Sequence, residues 1–317
     1  MAGIGLVLNP KAKQHLRDPG LADRLKRLVG EEGVVRSPTS FEELGEVADD
    51  FRTLGVELVA VAGGDGTNHI TITGLVDAYE GATLPHFALL RGGTMNTIAN
   101  SFGIPLKSPE KLLRMYKRAY DRRALAPMRF VEPNVLQVGR HCGFIFGAGA
   151  IHGFIAEYNS REERSPAWAA QVLARAVLTG PMKSGTAARV ARRWRGSVRF
   201  PDGTAFPLRD YFTVGASTCS QIGLGFMPFY RSGEVPDRFH MLGIHTSTMG
   251  FIASLPTVWR GRTIGGDKTY EKLTEAATLV PEEGEAGTVP YTLDGDVYEH
   301  RGELEVRSGP RLRIVIP

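Results

Sequence analysis

What the chain has little of narrows its class before any motif is read. Only two of its 317 residues are cysteines, Cys142 and Cys219, far apart and without C-x-x-C or metal-ligand spacing. That excludes a disulfide scaffold and suits a reduced compartment, where small buried thiols on strands are the expectation. No apolar run reaches the roughly eighteen residues of a membrane span. The amino terminus carries no secretory signal, because the apolar stretch Ile4 to Leu8 is too short and lysines follow it rather than precede it. A cytoplasmic protein, at most peripheral at a membrane, is therefore expected. The eight histidines, His69 and His152 among them, show no metal-ligand spacing. A net charge of +4 with a pI of 9.1 is a modest basic bias, and without a recognisable binding motif it argues against a nucleic-acid partner. There is neither a Walker G-x-x-x-x-G-K-[ST] loop nor a dinucleotide G-x-G-x-x-G spacing.

What is present is a strand that stops on glycines. In Val59-Ala-Val-Ala-Gly63-Gly64-Asp65-Gly66-Thr67-Asn68 an apolar strand ends at a loop that leaves one carboxylate at its carboxyl end. Gly63, Gly64 and Gly66 can adopt positive φ and carry no Cβ, so backbone N–H groups can turn inward around an anion, while Thr67 opens a helix and its positive dipole end. A carboxylate beside polyphosphate is repelled unless it holds a metal or takes a proton, so Asp65 is a candidate for Mg²⁺ chemistry or for deprotonating an acceptor hydroxyl. An ordinary glycine turn is the competing reading.

A second loop repeats the pattern. Phe87 to Leu90 reads as a short buried strand, followed by Arg91-Gly92-Gly93-Thr94-Met95-Asn96 and an apolar helix from Thr97 to Phe102. Loops after successive parallel strands share the carboxyl edge of one sheet, where ligands of open α/β sheets bind. Asn9-Pro10, directly after the opening strand, reaches the same edge.

Asn9-Pro10, Gly63-Gly64-Asp65-Gly66-Thr67, Gly93-Thr94-x-Asn96 and the downstream Leu293-Asp294-Gly295-Asp296 resemble, in order, the motifs of the diacylglycerol kinase catalytic-domain family, which includes bacterial lipid kinases and is related to sphingosine and ceramide kinases. The resemblance runs nearly end to end. It implies ATP-dependent phosphorylation of a lipid hydroxyl with Mg²⁺, with catalytic roles at Asp65, Asp294 and Asp296. Nucleotide contacts are implied at Asn9, Pro10, Thr39, Gly63, Gly64, Asp65, Gly66, Thr67, Asn68, Gly93, Thr94 and Asn96. Asp237, in Glu234-Val-Pro-Asp237-Arg-Phe239, resembles the carboxylate of a structural Mg²⁺ site in bacterial members, although Arg238 replaces the usual glycine. Two further departures stand out. Lys11-Ala-Lys-Gln-His15 follows Asn9-Pro10 in place of small residues and glycine, and Asp296 stands where the family commonly has glutamate. A kinase of a soluble acceptor resembling NAD kinase, and a non-catalytic nucleotide or lipid sensor, remain as alternatives.

The pattern along the chain divides in two. Up to about residue 125, strand candidates (4–8, 34–36, 58–62, 86–90) alternate with helical patterns (21–29, 41–54, 67–79, 109–119), which predicts an α/β N-terminal domain with a parallel sheet. Beyond Pro127, strand-like segments with glycine punctuation (134–138, 142–148, 196–200, 211–217, 239–245, 271–279, 289–293) predict a mainly antiparallel β C-terminal domain, with helices near 166–179 and 248–259. The expected domains are 1–126, nucleotide-binding, with 306–317 returning to it, and 127–305, carrying the lipid substrate. The resemblance puts the active site in the cleft between them. From Lys183 to Arg199 six Lys or Arg occur without an acid. Read as a helix, this segment puts Arg189, Arg192 and Arg193 on one face and Val190 over Trp194, an amphipathic surface for an anionic membrane; a solvated helix over a small core is the plainer reading. A homodimer is left open.

Overall fold

Strands dominate the chain, and two families of them, one parallel and one antiparallel, organise it. The structure, a computed structural model, describes residues 3–122, 128–161, 165–182, 185–282 and 287–317. Two units are distinguished: Met1–Pro133, Arg140–Cys142 and Pro310–Pro317 form the first, and Asn134–Gly139 and Gly143–Gly309 the second. The boundary expected at 126/127 lies outside the described residues.

The first unit runs β1 (Ile4–Leu8), α1 (Lys13–Arg17), α2 (Leu21–Val29), β2 (Val34–Arg36), α3 (Phe41–Thr53), β3 (Leu58–Ala62), α4 (Asp65–Tyr79), β4 (His86–Leu89), α5 (Thr97–Ser101), α6 (Pro109–Asp121) and β5 (Arg129–Val131). β7 (His141–Gly143) has its first two residues in the first unit, and the second unit contains β6 (Asn134–Val138), β8 (Ile145–Gly149), α7 (Ala150–Asn159), α8 (Pro166–Thr179), α9 (Gly185–Val190), β9 (Trp194–Arg199), β10 (Ala205–Tyr211), β11 (Thr213–Ser217) and β12 (Phe239–Ile244). It continues through α10 (Thr248–Trp259), β13 (Thr269–Thr274), β14 (Ala276–Pro281), β15 (Thr288–Leu293), β16 (Asp296–Arg301) and β17 (Leu304–Arg311). The closing strand, β18 (Ile314–Ile316), belongs to the first unit.

The first unit is built on a sheet of order β2-β1-β3-β4-β18-β5. All its pairings are parallel except β18 with β5, so the sheet is mixed and mostly parallel. Every residue of β1 and β3 is buried, as expected of strands covered by helices on both faces. Of the expected 306–317, Pro310–Pro317 belong to this unit and 306–309 to the second: β18 pairs parallel with β4 through Ile314 and Phe87, and Tyr116 of α6 donates its hydroxyl to the Val315 carbonyl. Gly5 is small because Phe51 of α3 packs against it, at 2.9 Å from where a Cβ would stand.

The second unit packs antiparallel sheets, one ordered β13-β12-β11-β8-β15-β16 and the other containing β10-β9-β14-β17. Their inner faces share one core, with Phe146, Val214, Phe239 and Leu293 on one side and Trp194, Val198, Leu279 and Val306 on the other. A smaller apolar cluster, Phe212, Phe229, Leu242 and Ile244, lies apart from it and receives Phe251 of α10, whose ring stacks on Phe212 at 4.5 Å.

Several elements differ from the sequence expectation. The segment read as 271–279 is two strands, β13 and β14, broken at Glu275. Helix α7 lies in a stretch to which the sequence reading assigned no element. The amphipathic helix over 183–199 does not form. Lys183 lies outside the described residues, α9 ends at Val190, and Trp194 begins β9, where its ring is buried against Tyr211 at 6.1 Å. Arg189 is paired with Glu157, and Arg193 with Asp210 and the Thr246 carbonyl. These arginines therefore share no helical face, because sheet pairing of β9 with β10 and β14 outweighs the local i, i+4 spacing.

Candidate active site in the first unit

Each of the three loops at the carboxyl ends of β1, β3 and β4 is tied to another. Asn9 donates its side-chain amide to the Thr67 hydroxyl at 2.8 Å and accepts the Lys11 N–H at 2.9 Å. The Asn9 N–H reaches the Ala62 carbonyl, and the Gln14 N–H the Gly92 carbonyl. The departure after Asn9-Pro10 thus becomes the short helix α1, which docks on the third loop. Its His15 is buried, and desolvation lowers its pKa against the opposing pull of the Asn9 backbone and the Asp18 charge.

The glycines of the second and third loops face each other. A Cβ on Gly64 would stand 2.9 Å from the Cα of Gly93, and one on Gly92 would stand 2.9 Å from the Gly63 nitrogen. Of the two freedoms glycine offers, these loops use the missing Cβ rather than positive φ: Gly64 is extended at φ −98°, and none of Gly63, Gly64 and Gly66 is among the left-handed glycines. What demands glycine at 64, 92 and 93 is backbone meeting backbone. The left-handed residues here are Arg91 (φ 55°) and Asn96 (φ 49°). The Asn96 side chain accepts from the Gly93 N–H and donates to the Gly93 carbonyl, both at 3.1 Å, closing the third loop on itself.

Asp65 is the first residue of α4, so that helix starts two residues before Thr67. Its carboxylate caps the other helix: Oδ2 accepts the Thr97 N–H at 2.9 Å and Oδ1 the Ile98 N–H at 3.1 Å. Desolvation pushes the carboxyl above its ordinary range, while those two N–H groups and the Arg91 guanidinium pull the other way. Arg91, which sequence reasoning did not single out, is buried and donates to the Ile104 carbonyl at 2.9 Å and to Asn100 at 2.5 Å. The available signal was an arginine set between a buried strand and two glycines.

Helix α4 itself begins at Gly64 with no side-chain cap, whereas Ser40, Ser108, Ser165 and Ser247 cap α3, α6, α8 and α10. The N–H groups of its first turn have no partner within the helix, and an anion can take them. Beside them the buried Asn68 holds an Oδ1 without a hydrogen-bond partner, while Thr94 is half-buried in the third loop. Thr39 is occupied elsewhere: its N–H and hydroxyl both donate to Glu43, which completes the cap of α3 and holds the Glu43 carboxyl below its usual range.

In the second unit Asp294 (φ 50°) and Gly295 (φ 96°) form a two-residue hairpin between β15 and β16, with Leu293 opposite Asp296. The buried Asp294 carboxylate accepts the N–H groups of Phe144 at 3.0 Å and Ile145 at 2.9 Å. Asp296 is half-exposed, and its carbonyl accepts the Thr292 hydroxyl. Asp237 sits in an exposed turn at φ 60° and accepts the Asn134 amide. No group of three His, Cys, Asp or Glu side chains converges among the described residues.

Residues 4–126 match the family model described as the diacylglycerol kinase catalytic domain. Among relatives, the chain is 37% identical over 112 residues to the "Probable lipid kinase YegS-like" of Citrobacter koseri, covering 35% of this chain and 36% of that protein. It is 35% identical over 145 residues to the "Probable lipid kinase YegS" of Escherichia fergusonii, covering 44% and 43%. The matches thus span well under half of these relatives. In fold the whole chain is similar to the crystal structure of a diacylglycerol kinase from Bacillus anthracis, with a TM-score of 0.64, 14% identity and coverage of 100% and 97%.

Proposed function

We propose that the chain is an ATP-dependent lipid kinase that transfers the γ-phosphoryl group to the hydroxyl of diacylglycerol or a related lipid alcohol. The observation that carries the reading is the uncapped N-terminus of α4, held between two interlocked glycine loops with Asp65 at its first position. Backbone N–H groups of that turn suit a polyphosphate, and Asn9 fixes their direction through Thr67. The unpartnered Asn68 Oδ1 and the Asp65 carboxylate are the groups of this turn that would hold a cation. Bound there, Mg²⁺ would neutralise charge developing on the transferred group. Asp65, lifted in pKa, is suited to accept the proton of the attacking hydroxyl at a carboxylate oxygen. Asp294, held by backbone donors, keeps the β15–β16 hairpin in place, which leaves Asp296 as the second carboxylate with solvent contact.

One observation favours a second reading. Both Asp65 oxygens already accept α5 N–H groups, as they would in a nucleotide-binding protein without catalysis. Incubation with γ-labelled ATP, Mg²⁺ and an extracted lipid pool, with mass-spectrometric identification of the labelled product, separates the two. Labelled phospholipid is expected. ATP binding without transfer would select the sensor.

A further inference from the structure

Helix α10 is out of keeping with a protein surface. Its twelve residues, Thr248 to Trp259, include no charged side chain, yet only Val258 is buried. A helix that is apolar all round normally lies in a core. Here Phe251 stacks on Phe212 and Ile252 meets Gly180, which fixes the inner side. Met249, Ala253, Pro256 and Trp259 are exposed. Their spacing of four, three and three puts them on one face. Met249 is 48% exposed and Trp259 53%, and the neighbouring Leu178 of α8, two residues before Gly180, is 74% exposed.

The sequence segments that carry this stripe have charges of one sign. Residues 239–266 contain no acid, and neither do residues 165–200. Directly after Trp259 come Arg260 and Arg262, both exposed, and among the described residues neither has a carboxylate partner. Arg260 reaches only the Pro256 carbonyl of its own helix. A helix about 18 Å long by its rise per residue, apolar on its outer face, with a tryptophan and two free arginines at one end, has the make-up of an element that lies in a bilayer interface. It is too short to cross one, in keeping with the absence of any membrane-spanning helix among the described residues.

We infer that α10 docks the second unit on a lipid surface with anionic headgroups, its Met249–Trp259 face entering the interface and Arg260 and Arg262 meeting the phosphates. This deepens the lipid kinase reading and rests on it for the purpose of docking, not for its geometry. It also relocates the membrane contact expected over 183–199, where Arg189 and Arg193 are already paired within the protein.

Tryptophan emission reports the event at one place, because Trp168 and Trp194 are only 6% and 4% exposed. Vesicles of phosphatidylcholine doped with phosphatidylglycerol should shift the emission to the blue, vesicles of phosphatidylcholine alone should do so weakly, and Trp259→Phe should abolish the shift. In sedimentation, R260Q/R262Q should weaken binding to the anionic vesicles roughly thirtyfold, about fivefold per arginine. M249Q/W259Q should weaken it roughly tenfold or more. Circular dichroism should find both variants folded, since the four side chains are exposed. Wild-type-like binding by both variants, or an emission shift that appears without vesicles as the chain self-associates, would overturn the inference. Phosphoryl transfer to a short-chain, water-soluble diacylglycerol should persist in both variants. Vesicle binding as described with no transfer to any lipid would leave the docking face standing and remove the kinase reading instead.

Discussion

Gly64 and Gly93, from loops that follow different strands, meet backbone to backbone: a Cβ on Gly64 would stand 2.9 Å from the Gly93 Cα, and one on Gly93 would come closer still to the Gly64 Cα. Neither atom met is the end of a flexible side chain, so neither can yield cheaply. The two glycines therefore set how near the loops after β3 and β4 can approach, and with it how the first turn of α4 faces a ligand.

From this contact, Gly64→Ala and Gly93→Ala should each cost about 1 to 3 kcal/mol of stability, the usual range for overpacking, and weaken ATP binding at the same time. Urea unfolding paired with calorimetric titration of ATP measures both. Wild-type stability in both alanine variants would remove the close approach as the reason for glycine.

Asp65 links the same loops through charge. Asp65→Asn retains one acceptor oxygen but sets an amide N–H₂ against an α5 N–H, so amide exchange at Thr97 or Ile98 should speed up as the cap weakens. Turnover should fall by roughly two to four orders of magnitude if the carboxylate also takes the proton. Because burial raises this carboxyl, the acid limb of kcat in the wild type should lie above the ordinary carboxylate range. An acid limb at or below that range would deny Asp65 the role of base.

How much of this was legible follows the range of the interactions. The strand-loop-helix runs around Gly63 and Gly93 are local patterns, and both appear where the spacing put them. The reason for the glycines was not legible, because positive φ is a property of one loop whereas a close approach needs two. The Asp65 cap spans 32 residues to Thr97, and no periodicity encodes it. Trp194 misled for the same reason. Its i, i+4 relation to Val190 suggests a helix, but its ring is taken by Tyr211 across a strand pair. Asp294-Gly295 could be read both ways from sequence, as a hairpin turn and as a motif, and the turn is present.

His69 makes the first unit sensitive to acid. Burial lowers its pKa to about 4, against the opposing hydrogen bond to the Cys142 carbonyl at 2.8 Å. The folded state therefore binds fewer protons than the unfolded chain between pH 4 and the ordinary histidine value of 6.5, and stability falls as pH drops through that window. The loss should reach on the order of 3 kcal/mol by its lower edge. His69→Gln, which keeps a polar side chain without a titrating group, should flatten the slope by about one proton in urea unfolding followed from pH 7 to pH 4. An unchanged slope would assign the acid sensitivity to other groups.

Asp294 offers the cleanest separation of structure from chemistry, because two of its properties can be removed one at a time. Its left-handed φ of 50° is tolerated by asparagine, and its Oδ1 receives both the Phe144 and the Ile145 N–H, with Oδ2 sharing the Phe144 N–H at 3.1 Å. Asp294→Asn therefore keeps the turn and one adequate acceptor and loses only the charge, at a cost of about 1 kcal/mol, the difference between charged and neutral hydrogen bonds. Asp294→Ala removes the acceptor altogether, leaves two N–H groups unsatisfied and forces alanine into the left-handed region, so about 2 to 4 kcal/mol should be lost. If Asp294 serves only to hold the hairpin, turnover in the asparagine variant should stay within roughly tenfold of wild type, while Asp296→Asn should show the larger loss of two orders of magnitude or more. A collapse of kcat in Asp294→Asn, at near-normal stability and with Asp296→Asn unaffected, would reverse the assignment and make Asp294 the carboxylate that acts on the substrate.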